Sequence, residues 1–358
     1  MKINLTLPKN WNACTTKQLE LIADVMREQV ERQNRYRPFS MQNVKIAIFF
    51  ALSGIEIVEG PNPRVPVEEQ YYTCRFTKKS KRELTLPFVG GKGGASFSLY
   101  LWQINYWLSP KAKTNDKESA EYVSQGAGVL DWLDNENEQF LTRFPYGTIK
   151  RRRKFSFLIP LSYKSFSGPQ KDLDGFCWSQ YRLASEAMQN YVQLSNNLVK
   201  MQKIGKFSQE QLDKQAKSVD MARAMFLATI FNAKVKHVET STGMIRKDYF
   251  YESNQITDNS EYFRRFPDTQ WQVILFWWTG VMHSMAKRYP HVFKVQKANK
   301  VDAKSSALDI YTATIATMQK YVGINEKDCN NQSYSLVLEQ LERMSKENEE
   351  LEKIRKKK

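Results

Sequence analysis

The sequence has few of the residues that usually mark a metal site or a disulfide framework. It contains four cysteines in 358 residues, and they lie far apart without a C-x-x-C pair. This spacing argues against both a structural zinc site and a set of disulfides. We therefore expect reduced thiols in a cytosolic setting, at Cys14, Cys74, Cys177 and Cys329.

The three histidines, His237, His283 and His291, lack the partners that imidazole chemistry needs. Pro290 separates His283 from His291, so they do not share a helix face, and no carboxylate follows the H-E-x-x-H spacing. There is no G-x-S-x-G, and the glycine-rich residues 90–94 do not match a phosphate-binding loop. The prediction is that the protein is not an enzyme and has no catalytic, cofactor-binding or metal-binding residue.

A long apolar run is also absent. The most apolar stretch, residues 273–281, is shorter than the roughly 20 residues that cross a bilayer. Residues 1–8 alternate in polarity, which predicts a short strand rather than a signal peptide. We therefore expect a soluble protein with no membrane partner.

The sequence has the composition of a folded protein and a strongly positive net charge. Hydrophobic residues make up 41% and aromatic residues 13% of the chain, enough for a substantial core. The net charge is +16, which favours nucleic acid, anionic lipid or an acidic protein as a partner. Charge alone does not choose among these.

Local patterns predict a mainly α protein with small β-hairpins, an α+β fold of multi-helix domains. Thr15 with Gln18 and Ser208 with Gln211 form capping-box patterns at helix starts. Apolar residues at spacings of three and four predict a long helix up to about Met201. Two pairs of β-forming segments predict hairpins: 71–77 with 83–89, and 235–239 with 244–251.

A basic run and turn-forming residues divide the chain into four predicted parts. A basic run and the turn Ser167-Gly168-Pro169 mark a boundary region in the middle. The predicted parts are an N-terminal α+β domain at 1–145, a basic linker at 146–170, a helical domain with one hairpin at 171–325, and a C-terminal interaction helix at 326–358.

The basic run is the candidate nucleic-acid site, because clustered cations neutralise phosphates and release counterions. No recognition motif of a nucleic-acid-binding fold accompanies it, so a solvated linker or a face for an acidic partner is the favoured alternative. The run consists of Lys150, Arg151, Arg152, Arg153 and Lys154.

The C-terminal segment predicts an amphipathic, coiled-coil-like helix that needs a partner surface. Its apolar stripe follows alternating spacings of four and three, as in a coiled-coil seam. Asn348 occupies an a-type position in this stripe, where asparagine fixes register. The predicted partner-binding residues are Val337, Leu341, Met344, Asn348 and Leu351.

A second predicted contact lies in the aromatic helix near residue 275. Trp271, Ile274, Trp278 and Met282 follow one helical row and are assigned to the core. Trp277 points about 100° away from Trp278, so it is predicted to bind a partner.

Three sets of residues resemble a family of uncharacterised proteins encoded in bacteriophages and prophages of Bacteroides-type bacteria. The sets are Leu7-Pro8-x-x-Trp11 with Thr15-x-x-Gln18-Leu19, then Ser167-Gly168-Pro169 with Phe176-x-Trp178-Ser179-Gln180-Tyr181-Arg182, and Phe276-Trp277-Trp278 with Tyr289-Pro290-His291-Val292-Phe293. The resemblance covers most of the chain, and its motifs are packing and turn patterns.

The members of this family lie among virion-assembly genes, near the tail genes. The resemblance therefore implies a tail-assembly chaperone or a minor virion component, but carries over no functional residue. The expected partners are phage structural proteins or a second copy of the chain, and the expected location is the bacterial host cytoplasm, with or without incorporation in the virion. Non-specific nucleic-acid binding through the basic surface is the alternative function.

Overall fold

The computed structural model describes residues 7–33, 40–76, 96–108, 130–133, 140–152, 163–169, 171–231, 234–239, 245–250, 253–293 and 307–357. The helices in these ranges are α1 (Thr16–Gln33), α2 (Met41–Ser53), α3 (Leu101–Leu108), α4 (Trp178–Ile204), α5 (Gln209–Ile230), α6 (Ile256–Ser260), α7 (Asp268–Arg288), α8 (Ala307–Val322), α9 (Glu326–Asn331) and α10 (Tyr334–Lys357). The strands are β1 (Ile55–Glu59), β2 (Tyr71–Phe76), β3 (Ser96–Tyr100), β4 (Thr148–Arg152), β5 (Tyr163–Ser167), β6 (Lys234–Glu239) and β7 (Ile245–Phe250).

The strands form three small antiparallel sheets, which together with the helices confirm the predicted fold class. One sheet has the order β1-β2-β3, and the others are the pairs β4-β5 and β6-β7. The β6-β7 pair is the second predicted hairpin. For the first predicted hairpin, β2 is present, but residues 83–89 lie outside the described residues, as do residues 90–94 and most of the predicted N-terminal strand.

The chain divides into two compact units, and each draws on two segments. The first contains Met1–Leu141 and Asp268–Trp277, and the second contains Thr142–Pro267 and Trp278–Lys358. In the first unit, the ring of Trp11 lies 5.0 Å from that of Trp132 and 5.6 Å from that of Phe276. Thr269 Oγ1 also donates to Asp24 Oδ1 at 2.5 Å, so the later segment is part of this core.

The second unit has an aromatic core that includes the β4-β5 pair. Phe166 of β5 lies 4.9 Å from Phe263, and Phe231 stacks on Phe263 at 5.4 Å. The predicted linker at 146–170 is therefore wrong: it contains a hairpin whose inner face packs in the core. The linker interpretation failed because Phe166 lies on the partner strand, outside the basic run that marked the region.

The predicted C-terminal segment also belongs to the second unit. Trp178 N–H donates to the Gln332 carbonyl at 2.8 Å, and Tyr334 N–H donates to the Phe176 carbonyl at 3.2 Å. The Tyr334 hydroxyl donates to the carbonyl of Asp172. These bonds fasten the start of α10 to the start of α4, so residues 326–358 are not a separate interaction segment.

Candidate partner-binding surfaces

The first half of α10 is core rather than an exposed stripe. Val337 and Met344 are buried and Leu341 is half-buried, while Tyr334 and Leu338 are buried as well. The assignment of Val337 and Met344 to a partner is therefore wrong, because their seam is already filled within the second unit. An amphipathic pattern shows that a face is covered but does not show by what.

Glu342 fixes α10 to the chain segment that follows α7. Its carboxylate accepts hydrogen bonds from the backbone N–H groups of His291, at 2.9 Å, and Val292, at 3.0 Å. Two turns further along α10, Glu349 Oε1 lies 3.2 Å from His291 Nδ1. These contacts hold α10 to the segment at His291 as far along the helix as Glu349.

The end of α10 carries the exposed apolar residues. Among the side chains that the structure describes from 345 to 355, none is buried. Asn348 is exposed, and Leu351 and Ile354 are 54% and 55% exposed. The predicted stripe included Leu351 but missed Ile354, which lies three residues further on and widens the same face.

Trp277 does not lie on the surface. It is 0% exposed, and its neighbour Trp278 is 6% exposed. The row of Val273, Trp277 and Val281 is as buried as the row of Trp271 and Trp278. The prediction of Trp277 as a partner-binding residue is therefore wrong, because α7 is covered on more than one face.

The basic run splits between the two faces of β4. Arg151 faces inward, with its guanidinium carbon 4.4 Å from the centre of the Phe266 ring, and burial lowers the pKa of Arg151. Lys150, on the opposite face of the strand, is exposed. The structure does not describe the side chain of Arg152 or any part of Arg153 and Lys154. The two described side chains of the run, Lys150 and Arg151, therefore do not share one phosphate-binding surface.

The four thiols lie inside the protein. All four cysteines are buried and none forms a disulfide. Burial raises the pKa of Cys74 and of Cys329 to about 11, and it also raises the pKa of Cys177. Within the described part of the chain, no group of three or more His, Cys, Asp or Glu side chains could hold a metal ion.

A charged cleft of about 500 Å³ lies between the end of α7 and α10. Burial raises the pKa of Tyr289 at its edge. Three basic and two acidic side chains line the cleft, so charges of both signs are present in it. The lining residues are Arg288, Tyr289, Ser335, Glu339, Glu342, Arg343 and Lys346.

Neither a membrane span nor a similar protein gives a further indication of function. Among the residues that the structure describes, no helix is both long enough and apolar enough to cross a membrane. No family model, curated protein or solved structure matches this chain.

Proposed function

We propose that the protein is a non-enzymatic assembly protein that binds protein partners through the exposed end of α10. The observation that carries this proposal is the pair Leu351 and Ile354, 54% and 55% exposed on a helix that is anchored one turn earlier. Full burial of such a side chain contributes about 1.5 to 3 kcal/mol, and about half of each remains exposed, so a partner groove that covers both gains about 2 to 3 kcal/mol.

The chemistry of this surface favours a helical partner with an apolar seam. Leu351 and Ile354 form a short ridge, flanked by the exposed residues Glu347, Glu350 and Lys353. An amphipathic helix end of this kind docks in an apolar groove or in a short coiled coil, and the flanking charges select the partner. Asn348, which is exposed one turn before Leu351, supplies the polar position that sets register.

The resemblance to phage virion-assembly proteins gives the setting of this proposal. A tail-assembly chaperone or a minor virion component works by contacts between proteins, which fits an anchored helix with an apolar end. The partner would then be a phage structural protein, met in the host cytoplasm during particle assembly. The phage setting is supported by the resemblance alone.

Nucleic-acid binding is the weaker alternative. The packing of Arg151 on Phe266 removes one of the five cations that suggested it. The net charge of +16 and the exposed Lys150 still support a non-specific electrostatic contact.

The test is a double substitution, Leu351→Glu with Ile354→Glu, in the full chain. Deletion of α10 would be uninformative, because it removes the buried residues Val337 and Met344. The chain is co-expressed with the proteins encoded beside its gene, and complex formation is measured by co-purification and light scattering. We expect the double variant to lose the complex and to keep its circular dichroism spectrum.

The matched control is Val322→Glu, which changes an apolar residue that is 41% exposed on α8. This variant should form the complex as the unmodified chain does. If the double variant at 351 and 354 binds its partners as well as the control, the end of α10 is not the contact and the proposal is wrong.

A further inference from the structure

Helices α4 and α5 form a hairpin in the second unit whose outer half lies near the surface. No residue from 189 to 221 is buried, in a stretch that the structure describes throughout. Tyr191, Leu194 and Leu198 are half-buried along the seam with α5, and Gln215 Nε2 donates to the Leu194 carbonyl at 2.9 Å. A capping box at Ser208 starts α5, so the hairpin is locally well formed.

The side of α4 turned away from α5 carries a second apolar row. Val192 and Val199 lie two turns apart, and each is 47% exposed, with the exposed Asn196 between them. The row adjoins a cleft of about 620 Å³ to which Met188, Trp278 and Met282 contribute. Tryptophan and methionine are enriched where proteins meet, and the spacing of four and three is that of a helix seam.

This part of α4 has no charged residue, which is unusual in so basic a protein. Charged residues make up 26% of the chain and the net charge is +16, yet residues 187–199 contain none. At a two-fold contact between identical faces, residues near the axis meet their own copies, so a charge there would face a like charge. The neutral face of α4 can therefore meet a second copy of itself without that repulsion.

We propose that α4 is the contact between two copies of this chain, paired antiparallel about a two-fold axis near Asn196. Val192 of one copy then lies against Val199 of the other, and the two Asn196 side chains meet beside the axis, where amide groups can hydrogen-bond to each other. Antiparallel pairing also brings Glu186 of one copy close to Lys203 of the other, so the ends of the contact have opposite charges.

This dimer contact is separate from the proposed function, which uses the end of α10. The first test measures the mass of the full chain by light scattering and sedimentation over the micromolar range. We expect the unmodified chain to be a dimer. The double substitution Val192→Glu with Val199→Glu should raise the dissociation constant by about a hundredfold or more, because it places like charges across the contact.

Two controls distinguish this contact from others. Val30→Glu changes a valine with the same 47% exposure on α1 and should leave the dimer intact. Leu351→Glu with Ile354→Glu should also leave the dimer intact, since it affects only the proposed partner site. A monomeric unmodified chain, or a dimer that is lost with the α10 variant and kept with the α4 variant, would overturn the inference about α4.

The second test checks the antiparallel geometry. The native cysteines are buried, so a new surface cysteine can be oxidised selectively. Asn196→Cys should give a disulfide-linked dimer, because a residue beside the two-fold axis meets its own copy, whereas Val192→Cys alone should not. Efficient cross-linking through Val192→Cys, or none through Asn196→Cys, would contradict the arrangement.

Discussion

The carboxylate of Glu342 accepts the backbone N–H of His291 at 2.9 Å, and this bond joins the middle of α10 to the chain just after α7. Val292 N–H donates to the same carboxylate, whose side chain is 19% exposed. Val292 and Glu342 are 50 residues apart along the chain. A single side chain thus closes a large loop in the second unit and positions the exposed end of α10.

Glu342→Ala should lower the free energy of unfolding by about 2 kcal/mol, because two backbone donors lose a charged acceptor. Denaturant unfolding followed by circular dichroism measures the change. Glu347→Ala is the control, since its carboxylate is 63% exposed and lies 3.7 Å from Arg343. Equal stability of the two variants would show that the Glu342 hydrogen bonds contribute nothing.

Trp277→Ala should destabilise the protein about as much as Trp278→Ala. Both indoles are buried, and emptying a site of this size costs about 3 to 5 kcal/mol. Thermal melts of the two variants compare the sites directly. An unchanged melting temperature of the Trp277 variant would indicate that Trp277 lies at the surface, as the helical pattern predicted.

Gly168→Ala should cost about 1 to 3 kcal/mol through overpacking. A Cβ at this position would lie 2.1 Å from Phe144 Cε1 and 2.9 Å from the Tyr146 carbonyl oxygen. The Phe144 ring is held at 5.3 Å from Phe231, so it has little room to move. Gly147→Ala, with no atom within 4 Å of the new Cβ, should be tolerated and serves as the control.

The two described side chains of the basic run should separate in their effects. Arg151→Ala should lower stability, since it removes the contact with Phe266, whereas Lys150→Ala should leave stability unchanged.

If the chain binds DNA, affinity should fall roughly a thousandfold between 50 and 200 mM salt where about six phosphates are engaged. Fluorescence anisotropy at several salt concentrations measures this, and sequence-selective binding that survives moderate salt would contradict it.

Stability should decrease as the pH rises above about 9, because burial raises the pKa of Cys74 and of Cys329 from 9.0 to about 11. Between these two values the unfolded chain releases protons that the folded chain keeps, so ionisation favours unfolding. Alkylation of the native protein at pH 8 should accordingly be slow at all four cysteines. Rapid labelling there, followed by mass spectrometry, would show that the thiols are accessible.

The fold class could be predicted because its signals are local. At Thr15 the predicted capping box is present, with Thr15 N–H donating to Gln18 Oε1 at 2.8 Å and Gln18 N–H donating to Thr15 Oγ1 at 3.3 Å. The box at Ser208 is present as well. Such bonds join residues three apart, so the sequence contains both partners in one short window.

The candidate site could be predicted only in part, because burial depends on distant residues. Leu351 is exposed as expected, but the pattern that selected it also selected Val337, which the second unit covers. Trp277 fails for the same reason, since a helical period cannot show how many faces have neighbours. Strand β4 was not predicted because its partner is β5, which contains the buried Phe166 and begins eleven residues after Arg152.

The first unit includes Asp268–Trp277, and this has a consequence for synthesis on the ribosome. A nascent chain that has just passed Leu141 still lacks Trp271, which is buried, and Thr269, which bonds Asp24. Folding during translation generally proceeds from the N-terminus in whole units. The core of the first unit is therefore complete only after translation has passed Trp277, although most of its residues are made long before.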